Sequence, residues 1–220
     1  MSDSKARILI VDDEVSIRTS LSMLLGEMGH PTNTAEDGFS ALASMRKQIP
    51  DILISDLYMP GMSGFELTSV VRRRFPEVRT VVMSGAFRGN EVPSGVAADA
   101  FFQKGSSMGS LLRILQSLTS DGGEMRSCVS FANGPIWIQP SGFDRAIDAR
   151  ITICCPECLR TFSEAGGGLG GEVCETKCTH CRGRIRYSIV PTLDAGPVQN
   201  HQEGRSRGSF KTAAGPQYEC

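Results

Sequence analysis

At 220 residues the chain has room for one medium domain and a small second one, and 40% hydrophobic against 21% charged residues supports a buried core. A formal net charge of −1 excludes a globally basic nucleic-acid binder. No signal peptide and no apolar run of membrane-spanning length is visible, so a cytoplasmic protein is expected; in that reducing compartment the eight cysteines, all after residue 127, point to metal ligation rather than disulfides.

Arg7 to Val11 reads as a buried strand that ends in the acidic pair Asp12-Asp13. Ile17, Leu21, Leu24, Leu25 and Met28 recur at helical spacing, and Gly29 stops that helix. Pro31 to Ala35 is a polar strand expected toward a sheet edge. Asp37 to Gln48 reads as a helix with Phe39, Leu42 and Met45 inward. Ile52 to Ser55 is a third strand, delivering Asp56 into the tight loop Leu57-Tyr58-Met59-Pro60-Gly61-Met62. Ser63 can N-cap a helix to about Arg74, where Phe75-Pro76 ends it. Thr80 to Met83 and Ala100 to Gln103 are strands four and five. Ser107 to Leu118 is the closing helix, carrying Leu111, Leu112, Leu115 and Leu118. Between Arg88 and Ala98, Gly89, Pro93 and Gly95 leave one or two helical turns at most, because an interior Pro costs about 3 kcal/mol and Gly about 1 kcal/mol relative to Ala. Met59, Met62 and Met83 are read as packing.

This alternation implies an α/β fold, a doubly wound five-stranded parallel sheet whose strand ends gather at one edge. Asp12, Asp13 and Asp56 can therefore converge. Crowded carboxylates repel unless a hard cation sits among them, and Mg2+ fits because it takes a few carboxylates and keeps waters for phosphate ligands. Taken singly, Asp12 and Asp13 are also explained as caps at a helix N-terminus, and Lys104 as a surface lysine. Together they suit an aspartate that receives a phosphoryl group.

Residues 5–119 resemble the receiver domain of two-component response regulators. The resemblance rests on Asp12-Asp13, the run from Asp56 through Met59-Pro60-Gly61-Met62 to Gly64, Val82-Met83-Ser84-Gly85 and Phe102-Gln103-Lys104, in that order. It implies Asp56 as phosphoacceptor from a sensor histidine kinase or phosphotransfer protein. It further implies Mg2+ held by Asp12, Asp13, Asp56 and the Tyr58 backbone carbonyl, phosphoryl contacts from Ser84 and Lys104, and Phe101 as an aromatic switch, which competes with a plain core role. The flavodoxin-like receiver fold comes with it. Two residues depart from the family pattern: Gly105 stands where a Pro usually follows the lysine, and Tyr58 is bulky. The interrupted helix after Arg88 weakens dimerisation through the face beside it.

Beyond Leu118 the pattern changes. Residues 120–149 read as a linker with a β-hairpin, Cys128-Val129-Ser130-Phe131 returning through Asn133-Gly134 to Ile136-Trp137-Ile138, its turn compromised by Pro135. Residues 150–191 form a second module, and 192–220, rich in Gly, Pro, Ser and Gln, are expected to be disordered. No internal repeat is evident. In the module, Cys155-Pro-Glu-Cys158 and Cys178-Thr-His-Cys181 are nineteen residues apart, the spacing of a four-cysteine Zn2+ site, and the segment resembles a zinc ribbon. Cys154 and Cys174 compete as ligands, while a thiol–disulfide pair or an iron site is the alternative chemistry. His180 is expected to point away; Cys128 and Cys220 are read as free thiols. Arg150 to Ile153 and Arg184 to Val190 are expected to pair beside the site, and Gly166 to Gly171 to loosen the loop between.

Arg182, Arg184 and Arg186 alternate and would share one strand face, either solvated or meeting phosphates. From Asp121 onward eleven Lys/Arg face eleven Asp/Glu, and four thiolates on one Zn2+ add two negative charges. Protein docking is thus at least as well supported as nucleic-acid binding. The expected function is a response regulator whose phosphorylation acts on its C-terminal module or a partner. The alternative is a phosphorelay adaptor whose ribbon binds protein only. No enzyme activity beyond its own phosphotransfer and slow dephosphorylation is expected, since four sulfur ligands leave no open metal position.

Overall fold

The computed structural model describes residues 5–86, 96–120, 134–138, 150–165 and 172–190. Its N-terminal part alternates β1 (Ile8–Val11), α1 (Val15–Glu27), β2 (Thr32–Ala35), α2 (Gly38–Lys47), β3 (Ile52–Asp56), α3 (Gly64–Arg74), β4 (Arg79–Ser84), β5 (Ala100–Gln103) and α4 (Met108–Ser120). The five strands form one parallel sheet in the order β2-β1-β3-β4-β5. β1 and β3 are buried along their whole length, as strands covered on both faces by helices must be. The chain reverses its winding between β1 and β3, which opens a crevice at their carboxyl ends.

Local chemistry sets the helix ends. The Asp37 carboxylate accepts the Ser40 N–H at 2.7 Å and starts α2; the Ser63 hydroxyl accepts the Glu66 N–H at 3.4 Å and starts α3. Gly29, at φ +87°, supplies the left-handed turn after α1. Leu42 and Met45 face inward as expected, and Met59, Met62 and Met83 are packed. Phe39 is a correction: it stays 38% exposed, one position off the buried stripe of α2.

α3 is unusual. Its residues Gly64 to Val71 are all buried, eight in succession, so no face of that stretch meets water. One side lies on the sheet, and the C-terminal part covers the other. There β6 (Ile136–Ile138), β9 (Val173–Lys177) and β10 (Arg184–Ile189) form a sheet in the order β6-β10-β9, while β7 (Arg150–Cys154) and β8 (Thr161–Ala165) form a two-stranded ribbon. Leu67, Val70, Val71 and Phe75 share one apolar cluster with Ile136, Ile138, Ile151, Ile153 and Phe162.

Two expectations for this part change, and a third falls partly outside the described residues. Ile136–Ile138 pairs in parallel with β10, whereas the other half of the proposed hairpin, 128–131, lies outside the described residues. β7 and β10 do not pair with each other; each takes its own antiparallel partner, β8 and β9, because the chain doubles back after each cysteine turn. Arg182 precedes β10 in a left-handed conformation (φ +61°), so the arginine face reduces to Arg184 and Arg186. Of the weak helix expected between Arg88 and Ala98, residues 88–95 fall outside the described residues and 96–98 are not helical; Cys128, the glycine run 166–171 and the tail 192–220, with Cys220, also fall outside. No helix among the described residues is long and apolar enough to cross a membrane.

Candidate phosphoacceptor site and four-cysteine cluster

The ends of β1, β3, β4 and β5 meet at one rim. β1 delivers Asp12 and Asp13, β3 ends on Asp56, β4 on Ser84, and Lys104 follows β5. Register explains the convergence, since Val11 pairs with Ser55, Asp56 with Met83, and Ser84 with Gln103. Asp12, Asp13 and Asp56 each offer a carboxylate oxygen within 4.8 Å of the others. The Lys104 ammonium lies 2.8 Å from Asp12 Oδ2 and 3.1 Å from Asp56 Oδ1. Apart from that ammonium, the buried Asp12 Oδ2 has no donor among the described residues. Asp12 Oδ1 accepts the Glu14 N–H at 2.9 Å, and an Arg18 N–H bonds the Asp12 carbonyl at 2.5 Å, so α1 holds the pair in place.

Burial pushes the Asp56 carboxyl above its usual range and the Asp12 charge adds to this, while Lys104 opposes both. For Lys104, burial works against the charge, but its bonds to Asp12 and Asp56 win and hold it protonated. One ammonium faces three carboxylates, so the rim keeps an excess of negative charge. An all-oxygen donor set with excess negative charge suits a hard divalent cation, and receiver domains use Mg2+ through these acidic positions.

The Ser84 hydroxyl is buried and accepts the Ala86 N–H at 3.1 Å; its carbonyl accepts the Lys104 N–H at 2.9 Å, tying the two loops together. Phe101 is buried against Leu57, Phe65 and Val82, with Trp137 and Val190 from the C-terminal part at the edge of that cluster. Tyr58 is half-buried and meets the Phe65 ring edge-on at 5.9 Å; burial first, and the Asp56 charge second, raise its phenol. The backbone after Lys104 turns at Gly105 with φ +88° and no cis peptide bond.

The second constellation is sulfur. Cys155, Cys158, Cys178 and Cys181 bring their Sγ atoms within 4.8 Å of one another, while Cys154 and Cys174 are not part of the group. Cys155 and Cys181 are 3.7 Å apart, as are Cys158 and Cys178. Two equivalent turns build this cluster. In the first, Leu159 N–H bonds the Cys155 carbonyl and Cys155 N–H the Arg160 carbonyl; in the second, Arg182 bonds Cys178, and Cys178 bonds Gly183. Each turn puts its fifth residue at positive φ, Leu159 at 55° and Arg182 at 61°. His180 turns its ring to the Thr161 carbonyl, away from the sulfurs as expected.

Burial raises the Cys155 and Cys158 thiols. Burial also opposes ionisation of Cys178, but the N–H groups of Cys181 and His180 and the neighbouring sulfurs lower it to about 6. Such crowding lets one thiol ionise at the expense of the others; a soft dication would let all four ionise.

The residues that join the two parts escaped the sequence reading. Glu66, almost fully buried on α3, accepts the Cys154 N–H at 2.8 Å, and Ser69 accepts the Trp137 N–H at 3.3 Å. Burial pushes the Glu66 carboxyl up to about 7 against the lowering effect of Cys154 N–H. Arg73 reaches Glu157, between the first two cysteines, at 3.3 Å. The available signal was the composition of α3: Phe65, Leu67, Val70 and Val71 wrap too far round the helix for one sheet-facing stripe.

Residues 8–116 match the response regulator receiver domain family. The DNA-binding transcriptional regulator NtrC of Salmonella typhimurium is 36% identical over 77 residues, which are 35% of this chain and 16% of that protein. The transcriptional activator protein ExaE of Pseudomonas putida is 39% identical over 79 residues, 35% of this chain and 37% of that one. The chain thus spans well under half the length of these curated relatives. Among solved structures, chemotaxis protein CheY4 of Vibrio cholerae is 31% identical with a TM-score of 0.47, covering 52% of this chain and 99% of that one.

Proposed function

We propose, taking as premise that residues 8–116 form a response regulator receiver domain, that this chain is a two-component response regulator phosphorylated on Asp56. The observation that carries the reading is the Lys104 ammonium spanning Asp12 and Asp56 at the sheet rim. An Asp56 carboxylate oxygen attacks the phosphorus of a phosphohistidine on a sensor kinase or phosphotransfer protein. An acyl phosphate forms, the P–N bond breaks, and the imidazole leaves with its electron pair. Phosphoryl transfer asks the protein for positioning and charge compensation more than for covalent chemistry. Mg2+ would be held by Asp12, Asp13, Asp56 and the Tyr58 carbonyl, and when bound it offsets phosphoryl charge. Lys104 pairs with a phosphoryl oxygen once Asp56 carries it. The Ser84 hydroxyl leaves the Ala86 N–H to donate to another, and Phe101 repacks with it. The chain catalyses no reaction beyond its own phosphotransfer and slow dephosphorylation, and it works in the cytoplasm.

The cysteine cluster is a structural Zn2+ site, with Cys155, Cys158, Cys178 and Cys181 as ligands. The module is the receiver's output: α3 begins against Asp56 and carries Glu66 and Ser69, which hold the module's backbone. A protein target is favoured over nucleic acid, because Arg182 is off the strand and Arg186 is paired with Glu175 at 3.8 Å.

Intact-mass measurement after incubation with a small-molecule phosphodonor and Mg2+, with metal content determined on the same sample, tests the reading. One phosphoryl group on the wild type, none on Asp56→Ala, and one Zn2+ in both are expected. Equal phosphorylation of Asp56→Ala would refute it.

A further inference from the structure

A groove of about 410 Å3 runs between α2 and the first cysteine turn. Phe39, Leu42 and Arg46 form one wall; Leu159, Arg160 and His180 form the other. It exists only because the two parts of the molecule are docked, since neither supplies both walls. Its apolar surface comes mainly from Phe39 and Leu159, and Phe39 is one of the few large exposed hydrophobics among the described residues. Its charges are Arg46 and Arg160, both exposed, and no acidic side chain lines it. Among the described residues neither guanidinium is ion-paired: Arg73 takes the nearby Glu157, and Arg186 takes Glu175.

An apolar floor between two uncompensated guanidiniums selects its occupant. A basic or phosphate-free neutral segment leaves both arginines unanswered, while a duplex presents phosphates but nothing to cover Phe39 and Leu159. We propose that this groove is a docking site for an acidic peptide segment of a partner protein, carrying an apolar anchor side chain between carboxylates. The anchor covers the Phe39 ring and Leu159; the carboxylates pair with Arg46 and Arg160, whose planar forks favour bidentate contact. The Phe39 ring also lies against the loop that follows Asp56: a Cβ added at Gly61 would sit 3.5 Å from Phe39 Cε2. Occupancy is therefore sensed beside the phosphoacceptor loop, although docking itself needs no phosphoryl chemistry.

The test is titration of the full 15N-labelled chain with an eight-residue peptide in which a central Phe-Leu pair is flanked on both sides by Glu and Asp, next to the same peptide with Lys at every acidic position. Saturable shifts confined to residues 39–46, 159–161 and 180 are expected with the acidic peptide and not with the basic one. Arg46→Glu and Arg160→Glu, both on exposed side chains, should each weaken binding about tenfold, as should raising salt from 0.05 to about 0.5 M. Absence of saturable shifts up to about 1 mM peptide, or binding indifferent to both reversals, overturns the proposal. So does a 20-base-pair DNA duplex that perturbs the same residues more strongly, or a concentration-dependent dimer in sedimentation that Arg160→Glu abolishes; these would assign the groove to phosphate or to a second copy.

Discussion

Tyr58 stands two positions past Asp56, half-buried and edge-on to Phe65, with the Asp56 charge felt at its phenol. A ring there limits the approach of water to an acyl phosphate. Tyr58→Asn is therefore expected to shorten the lifetime of the phosphorylated protein several-fold, read by the decay of the phosphorylated mass; an unchanged lifetime would remove the shielding role. Glu66 gives a second residue-scale prediction. Its folded carboxyl holds a proton up to about pH 7, against an ordinary value of 4.5. The folded state thus binds more protons than the unfolded one across that window, so its contribution to stability falls as pH rises from about 4.5 to about 7 and stays lost above. The size is roughly 3 kcal/mol at one and a third per unit. Glu66→Gln keeps an acceptor for the Cys154 N–H and cannot ionise. It should match wild type near pH 4.5 and exceed it at pH 8, as measured by urea denaturation of the metal-loaded protein.

At the scale of elements, Gly64 at the start of α3 has the least room of any glycine among the described residues. A Cβ on Gly64 would fall 2.0 Å from the Asp56 carbonyl oxygen, which is backbone and cannot step aside. At Gly38 the obstruction is only the Met62 side chain, at 2.6 Å. Gly64→Ala is expected to cost about 3 kcal/mol or more and to impair phosphorylation, whereas Gly38→Ala, where Met62 Sδ and Cγ can turn away and only its Cβ at 2.9 Å needs a small backbone shift, costs about 1–2 kcal/mol. Thermal denaturation and the phosphodonor assay together check the contrast.

Elements also show what a sequence can carry. β1, β3 and the acidic rim were legible because each strand is one unbroken apolar run that stops at a carboxylate. The clustering of the four cysteines was legible because the Cys-x-x-Cys spacing is itself the geometry of the turn. β8 and β9 were not: Thr161–Ala165 and Val173–Lys177 are short and mostly polar, and they become strands only by pairing with β7 and β10. Glu66 could not be found by pattern, since a carboxylate in the first turn of a helix ordinarily faces solvent.

For the whole molecule, the continuous apolar cluster makes the C-terminal part a support of the receiver, besides the output role proposed for it. A chain truncated after residue 120 leaves Ile136, Ile138, Ile151 and Ile153 absent from α3's outer face. Truncation should lower the melting temperature and promote aggregation in size-exclusion chromatography. With Zn2+ in the cysteine cluster as proposed, its removal by a chelator should do the same to a smaller degree, because the apolar contacts of β6 and β10 do not depend on the metal. A truncated fragment that is monomeric and as stable as the full chain would show the docking to be dispensable.

The same arrangement has a cost during synthesis. Glu66 and its partner Cys154 are 88 residues apart. At about 5–20 residues per second the ribosome delivers the second roughly 4–18 s after the first. Once α4 ends at Ser120 the sheet and its helices are complete, while the outer flank of α3 stays bare until Ile136 to Ile153 follow, so the nascent chain passes through a sticky half-finished stage that a freestanding receiver never faces.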